Sequence, residues 1–445
     1  MSDLLTIGYS GLKAYSQAIA TVSDNIANAQ TAGYVRRTTQ MAEARSAGDM
    51  ILYRNNLRPS GVLVTGVDRV VDDWLVEDSR TANSDAGRTS ALSQWLTVGE
   101  TALDNGDNGV GASITAVFNA ADKLSGMPND ATLRSAFLQA VDNSAAAFRQ
   151  TAGRLQSTAA GIADAAQGNV DKLNSDLAAL QRVNEGLLRA RDGSTNQATL
   201  LDDRDRLLDQ ISLQTKVNTS FGEGGTVSLT MAGSGGATLL SGPTLASFSV
   251  AAAADGTLSY NVSTAGAITP STGALAGLSE AASVVATRRQ SLDGLAASYA
   301  TSLNGRHQAG MDAQGNPGQA LLNIGATGAA ALTAAALGPN QVAAADAMTA
   351  NGNMLAFASL RGAGGAEAGW TAMVSAQAQA TSSARAQDAA ATTRRDGAHE
   401  ARNDVSGVDL DREAADLLRY QQAYEAAAKT IQIARENIQT IFNIF

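Results

Sequence analysis

Cysteine is absent from the 445 residues, which excludes disulfide frameworks, thiolate metal sites and cysteine nucleophiles together. Histidine is almost absent: His307 and His399 lie far apart and form no His-Glu-x-x-His spacing, so neither a zinc site nor a Ser-His-Asp triad is expected. No run of about eighteen apolar residues exists to cross a membrane. The opening Met-Ser-Asp-Leu-Leu-Thr-Ile-Gly-Tyr lacks the basic region, apolar core and small-residue site of a cleavable leader, so none is expected. An excess of positive charge is missing too; the net charge is −10, which makes nucleic acid a poor partner. Aromatics are only 4% of a chain that is 44% hydrophobic, so folded cores are expected, built from aliphatic and small side chains.

What the chain does have is heptad order at both ends. Leu410, Leu417, Tyr424, Ile431, Ile438 and Phe445 recur every seven residues, with Ala414, Gln421, Ala428, Arg435 and Phe442 on a second line, and no Gly or Pro interrupts them. Ser406-Gly407-Val408-Asp409 reads as a capping box before that helix, which would be about 54 Å long. Leu5, Leu12, Ile19 and Ile26 carry the matching period at the start, with Gly8, Tyr15, Val22 and Ala29 offset by three. Burying one large apolar side chain is worth roughly 1.5–3 kcal/mol, so these lines need cover. They find it either against each other within one chain or against copies in neighbouring chains.

Between the ends, residues 81–213 show apolar spacings of three and four, broken by a loop at Ser125–Asp130, as in an extended helical bundle. Alternation replaces this at Val217, Thr219 and Phe221 and at Val227, Leu229 and Met231. Asp255-Gly256 between alternating runs signals a hairpin. The glycine clusters at 222–225 and 233–236 are not followed by Lys-Ser/Thr and read as turns. Helical spacing resumes from Leu278 to Leu303. The expected fold is mainly α: a terminal coiled-coil domain (1–35 and 405–445), a helical middle domain (36–216 and 271–404) and an inserted β domain (217–270).

Three carboxylates in the four residues Asp202–Asp205 invite a metal, but Arg204 and Arg206 compete for the same oxygens, so a solvated or salt-bridged helix start is expected. Asp104–Gly109 looks like a calcium loop, yet Gly106 and Thr115 stand where ligands are needed. His307 is expected to bond the backbone of its own turn. No cofactor, metal or catalytic residue is expected.

Asn25-Ile26-Ala27-Asn28-Ala29, then Thr31 and Gly33-Tyr34, closely resembles the N-terminal signature of the axial proteins of the bacterial flagellum, the rod, hook and hook-associated proteins. That signature opens with Ser-Gly-Leu, here Ser10-Gly11-Leu12. Leu200-Leu201-Asp202 with Arg204, Asp205, Leu207 and Leu208 resembles the family's hook-associated members rather than its rod or hook subunits. So does Asn304 with His307, Gly310 and Asp312, although Leu321-Leu322 stands where the family has Leu-Phe. Pro339–Ala345 and Asn351-Gly352-Asn353 resemble the same members. Ser406–Ala414 with Tyr420–Tyr424 is similar to the C-terminal signature.

The resemblance implies a non-enzymatic structural subunit between hook and filament, with the terminal helices as its assembly seam. It implies type III export, a cytoplasmic chaperone at the C-terminal helix, and a final place outside the cell. Its neighbours would be hook subunits, a second hook-associated protein and copies of itself in a ring. Another axial subunit is the alternative, and a secreted wall hydrolase the more distant one.

Overall fold

The computed structural model describes residues 2–45, 59–103 and 106–443. Helix α1 (Ser2–Asn28) opens the chain, and Gly33, at φ 82°, takes the left-handed turn that follows its end. A two-stranded antiparallel hairpin comes next, β1 (Arg37–Arg45) with β2 (Pro59–Arg69), inside the stretch expected to belong to the helical middle domain. The hairpin lies on α1: Val62 N–H donates to Ser10 Oγ (3.1 Å) and Thr39 Oγ1 to Thr21 Oγ1 (2.9 Å).

Helices α2 (Asp73–Ala102), α3 (Val110–Gly126), α4 (Ala131–Leu187) and α5 (Thr195–Gln214) make up the expected helical stretch. Asp130 ends the predicted loop by capping α4, its Oδ1 accepting from Thr132 N (2.7 Å) and Leu133 N (3.0 Å). Asp104 and Asn105 of the calcium-like loop lie outside the described residues.

The alternating region forms two sheets. Strands β3 (Val217–Phe221), β4 (Val227–Met231), β5 (Thr238–Ser241) and β6 (Thr244–Leu245) pair in that order. Strands β7 (Phe248–Ala252), β8 (Leu258–Val262) and β9 (Gly266–Ile268) form the second sheet. Gly256, at φ 92°, sits in the β7–β8 turn that Asp255-Gly256 signalled. Helix α6 (Gly273–Gln308), the hairpin β10 (Leu322–Gly325) with β11 (Gly328–Ala334), the short α7 (Gly352–Ala356), α8 (Ala366–Ser406) and α9 (Leu410–Phe442) complete the chain. The architecture is mainly α with small antiparallel sheets.

The expected capping box takes a different form. Ser406 is the last residue of α8 and its hydroxyl donates to Arg402 O (2.7 Å), while Asp409 alone caps α9, accepting from Asp411 N (3.0 Å) and Arg412 N (3.3 Å).

Contacts group the residues into two units, Met1–Asn83 with Leu173–Ala246 and Thr392–Phe445, and Ser84–Lys172 with Ser247–Ala391. Sheet β3–β6 belongs to the first and β7–β9 to the second. The core of the second unit holds Phe137 edge-on to Phe357 (5.6 Å) and Phe148 stacked on Tyr299 (5.5 Å), with the Tyr299 hydroxyl donating to Ser144 (3.0 Å). Four of the chain's aromatics thus pack in pairs in this core.

Candidate functional site

Helices α1 and α9 lie antiparallel, as Gly8 faces Ile431 near one end and Asn25 meets Glu413 at the other. Where they touch, α1 is small: Gly8, Gly11, Ala14 and Ala18 are buried, followed by Thr21, Val22 and Asn25. A Cβ at Gly8 would stand 2.6 Å from Ile431 Cγ1, and one at Gly11 3.5 Å from Ala427 Cβ. Glycine here is therefore a matter of approach distance, letting the helix backbones come close.

The heptad residues flank this contact. Leu5, Leu12, Ile19 and Ile26 on α1 and Leu417, Tyr424, Ile431 and Ile438 on α9 are half-buried, and Leu410 is exposed. Phe445 and the Phe442 side chain lie outside the described residues. Ile431 occupies the space that Gly8 leaves open, and the other heptad residues are half-buried beside the contact.

Beneath the helix pair runs a buried charged layer. Glu413, in the first turn of α9, is 0% exposed and takes Arg36 Nε at 2.6 Å and Asn25 Nδ2 at 2.9 Å. Arg36 also reaches Asp416 (3.4 Å). Asn25 spends all four of its hydrogen-bonding positions: Nδ2 also donates to Arg37 O (2.8 Å), and Oδ1 accepts from Arg37 N (3.0 Å) and the Tyr34 hydroxyl (2.9 Å). Burial, opposed by nearby Arg37, pushes the Tyr34 phenol up to about 12, so it remains a donor. Asn28 closes the helix end, donating to Asp24 O (2.9 Å) and accepting from Thr31 (3.3 Å).

Asp202, Asp205 and Asp209 share one face of α5 at spacings of three and four, and they continue the layer. Arg37 and Arg69 clasp Asp202 (2.6 and 2.7 Å), and Arg69 also holds Asp205 (2.7 Å). Arg80 spans Asp205 (3.1 Å) and Asp209 (3.0 Å), and Arg402 of α8 ends the series on Asp209 (2.8 Å). Arg204 binds Asp205 (2.8 Å), donates to Gly225 O (2.6 Å) and lies over the Phe221 ring (4.5 Å). Burial pushes the Asp205 carboxyl up, but Arg204, Arg69 and Arg80 outweigh it and hold it below the usual range. At Asp202 burial outweighs its two arginines and the carboxyl is raised.

This layer is salt-bridged rather than solvated: Asp202, Asp205 and Asp209 each lie between guanidinium groups, and Glu413 takes Arg36 and the Asn25 amide. Among the described residues no group of acids or histidines could hold a metal. The layer joins α1, both strands of the β1–β2 hairpin, α2, α5, α8 and α9 within one unit. The sequence pattern marked Asn25, Tyr34, Asp202, Arg204 and Asp205, and the structure brings them together. It missed Arg36, Arg37, Arg69, Arg80, Arg402, Asp209 and Glu413. The period of Asp202, Asp205 and Asp209 was the available signal.

His307 and Gly310 belong to the second unit and form a separate knot. His307 is 0% exposed; its Nδ1 meets Gln319 O (2.6 Å) and its Nε2 accepts from Ala343 N (2.8 Å). It therefore ties segments 12 and 36 residues onward, not its own turn. Burial lowers its basicity, which keeps the acceptor nitrogen free of a proton. Gly310 is crowded by the Asn353 side chain, which donates to Ala343 O (2.6 Å). Asn304 Oδ1 accepts from Leu321 N (2.7 Å) and Leu322 N (2.9 Å), and both leucines are buried. Tyr424 stays on the α9 seam.

Residues 96–322 match the family model described as the flagellar hook-associated protein FlgK helical domain. Residues 5–34 match a flagella basal body rod protein model, and residues 403–444 match the C-terminal model of the flagellar basal body rod FlgEFG proteins. The chain is 30% identical over 341 residues to flagellar hook-associated protein 1 of Salmonella typhimurium, and 28% over 337 residues to that of Escherichia coli. Each match covers 73% of this chain and 60% of the relative. The Bacillus subtilis protein of the same name is 25% identical over 220 residues, covering 48% of this chain and 43% of that one.

Proposed function

We propose that this chain, which belongs to the flagellar hook-associated protein FlgK family, is a structural subunit of the junction between the hook and the filament of a bacterial flagellum. The observation that carries this reading is the closed layer around Glu413, Asn25 and Asp202. It fuses the first and last helices with the elements beside them into one unit. Such a layer suits a structural subunit whose two ends must be presented together. The terminal pair, residues 1–35 with 405–445, serves as the assembly domain and lines the central channel. The helices of 36–216 and 271–404 form the middle domain, into which the strands of 217–270 are inserted. Hook subunits lie on one side, the second hook-associated protein on the other, and copies of this chain complete a ring.

Export by the type III system and a chaperone on α9 complete the proposal. Leu418 and Ile433 are exposed on α9 although α1 is in place, and they are apolar surface that a chaperone groove would cover. Adding the purified chain to hooks isolated from a strain that lacks it tests the junction role. New density at the hook tip, followed by filament growth on adding filament subunits and their cap, is the expected result. Hooks that stay bare in electron micrographs would overturn it. The matches of both ends to rod-protein models favour another axial subunit as the second reading, for which the added chain would extend the rod or hook.

A further inference from the structure

Trp74 is 71% exposed although tryptophan is the side chain with most to gain from burial. It is not loose: Asp72 Oδ1 accepts from Trp74 N (2.9 Å) and Leu75 N (3.1 Å), which caps α2 and fixes the backbone that carries the indole. Two more large apolar residues of the same unit are exposed where the chain turns from α8 to α9, Val405 (42% exposed) and Leu410 (52%). The backbone sets them there. Arg36 N donates to Ser406 O (2.9 Å) and Val70 N to Arg36 O (2.9 Å), so the end of α8 and the approach to α2 flank one residue.

The charge around this apolar group is one-sided. Asp72, Asp73, Glu77 and Asp78 are exposed at the start of α2, and Asp404, Asp409 and Asp411 at the turn from α8 to α9. Among the described residues none of these carboxylates has an ion-pair partner. The arginines of the same stretches, Arg36, Arg69, Arg80 and Arg402, are turned inward to Glu413, Asp202, Asp205 and Asp209. Among the described residues of these stretches, Arg412 alone stays outside. The buried layer thus draws the cations in and leaves an acidic field around the exposed tryptophan.

From this geometry we infer a docking surface formed by Trp74, Val405 and Leu410, whose occupant is a protein surface with an apolar socket rimmed by lysine and arginine. The carboxylates select a cationic rim and exclude nucleic acid and anionic lipid, while the indole face adds its own attraction for a guanidinium or ammonium. A preorganised tryptophan is also the residue type that most often anchors such contacts.

The test uses the 445-residue chain and two fluorescent 18-residue amphipathic peptides, one of leucine and lysine and one of leucine and glutamate, read by anisotropy. The lysine peptide binds and the glutamate peptide does not. Raising the salt from 50 to 300 mM weakens binding at least tenfold. Trp74→Ala and the triple change Asp73→Asn, Glu77→Gln, Asp78→Asn each weaken it tenfold or more, at unchanged helix content. No binding of the lysine peptide, equal binding of both peptides, or affinity unchanged by Trp74→Ala would overturn the inference.

Discussion

Replacing Glu413 by alanine removes the one carboxylate that both Arg36 and Asn25 address inside the unit. Arg36 is left with Asp416 at 3.4 Å, a partner that is itself partly wet, and Asn25 loses one of its two donor contacts. Breaking a buried pair from one side costs about 3–5 kcal/mol. The residual Asp416 contact argues for the lower half of that range. The loss falls on the α1–α9 pairing, since the other members of the layer keep their partners. At 1.4 kcal/mol per factor of ten, amides of α1 and α9 that open locally should exchange roughly a hundredfold to a thousandfold faster. Hydrogen exchange read by mass spectrometry measures this, with peptides from 131–172 and 273–308 as internal controls that should not change. Asp411→Asn, an exposed neighbour in the same turn, should shift exchange by less than the roughly 0.5 kcal/mol typical of surface changes. Wild-type exchange rates along α1 and α9 in Glu413→Ala would refute the idea that the charged layer holds the termini.

Three further outcomes follow from the same geometry. Gly8→Val places methyl groups against Ile431 and should loosen the terminal pair by about 1–3 kcal/mol, as overpacking does; Ile431→Ala in the same chain should restore protection in exchange, and failure to do so would mean that the helices do not meet there. His307 and, less deeply buried, His399 both have their basicity lowered by desolvation, so the unfolded chain takes up protons first as pH falls below about 6.5. The melting temperature should therefore be level above that pH and decline between pH 6.5 and 5, with a shallower decline in His307→Gln; an identical slope in the variant would contradict the buried acceptor nitrogen. For the proposed chaperone, Ile433→Asp is a sharper probe than Ile431→Asp, because Ile431 also packs on Gly8; affinity should fall at least tenfold with α1–α9 exchange unchanged, and Gln432→Asp should do little.

Sequence pattern located the helices of 81–213, the hairpin at Asp255-Gly256 and the turns at the glycine clusters, because each follows from residues close together in the chain. It did not locate β1 and β2. Their pairing is long-range, Arg37 with Arg69, and Met41-Ala42-Glu43-Ala44 does not alternate apolar with polar. The heptad lines marked both terminal helices, but the close approach at Gly8 and Gly11 carries no such mark, since their contribution is the absence of a side chain. In the charged layer, the α5 aspartates were visible as a cluster. Their partners at Arg37, Arg69 and Arg80 stand more than a hundred positions earlier and carry no local mark. His307 likewise reveals its role only when Gln319 and Ala343 fold against it.

The junction role is tested most directly by deleting the chain's coding sequence in its own organism and examining the cells by electron microscopy, with the intact chain restored in a parallel strain. Complete hooks without filaments, filament subunits lost to the medium, and recovery of filaments on restoration are the predicted result. Filamented, swimming cells after deletion, or cells arrested before the hook is complete, would contradict it.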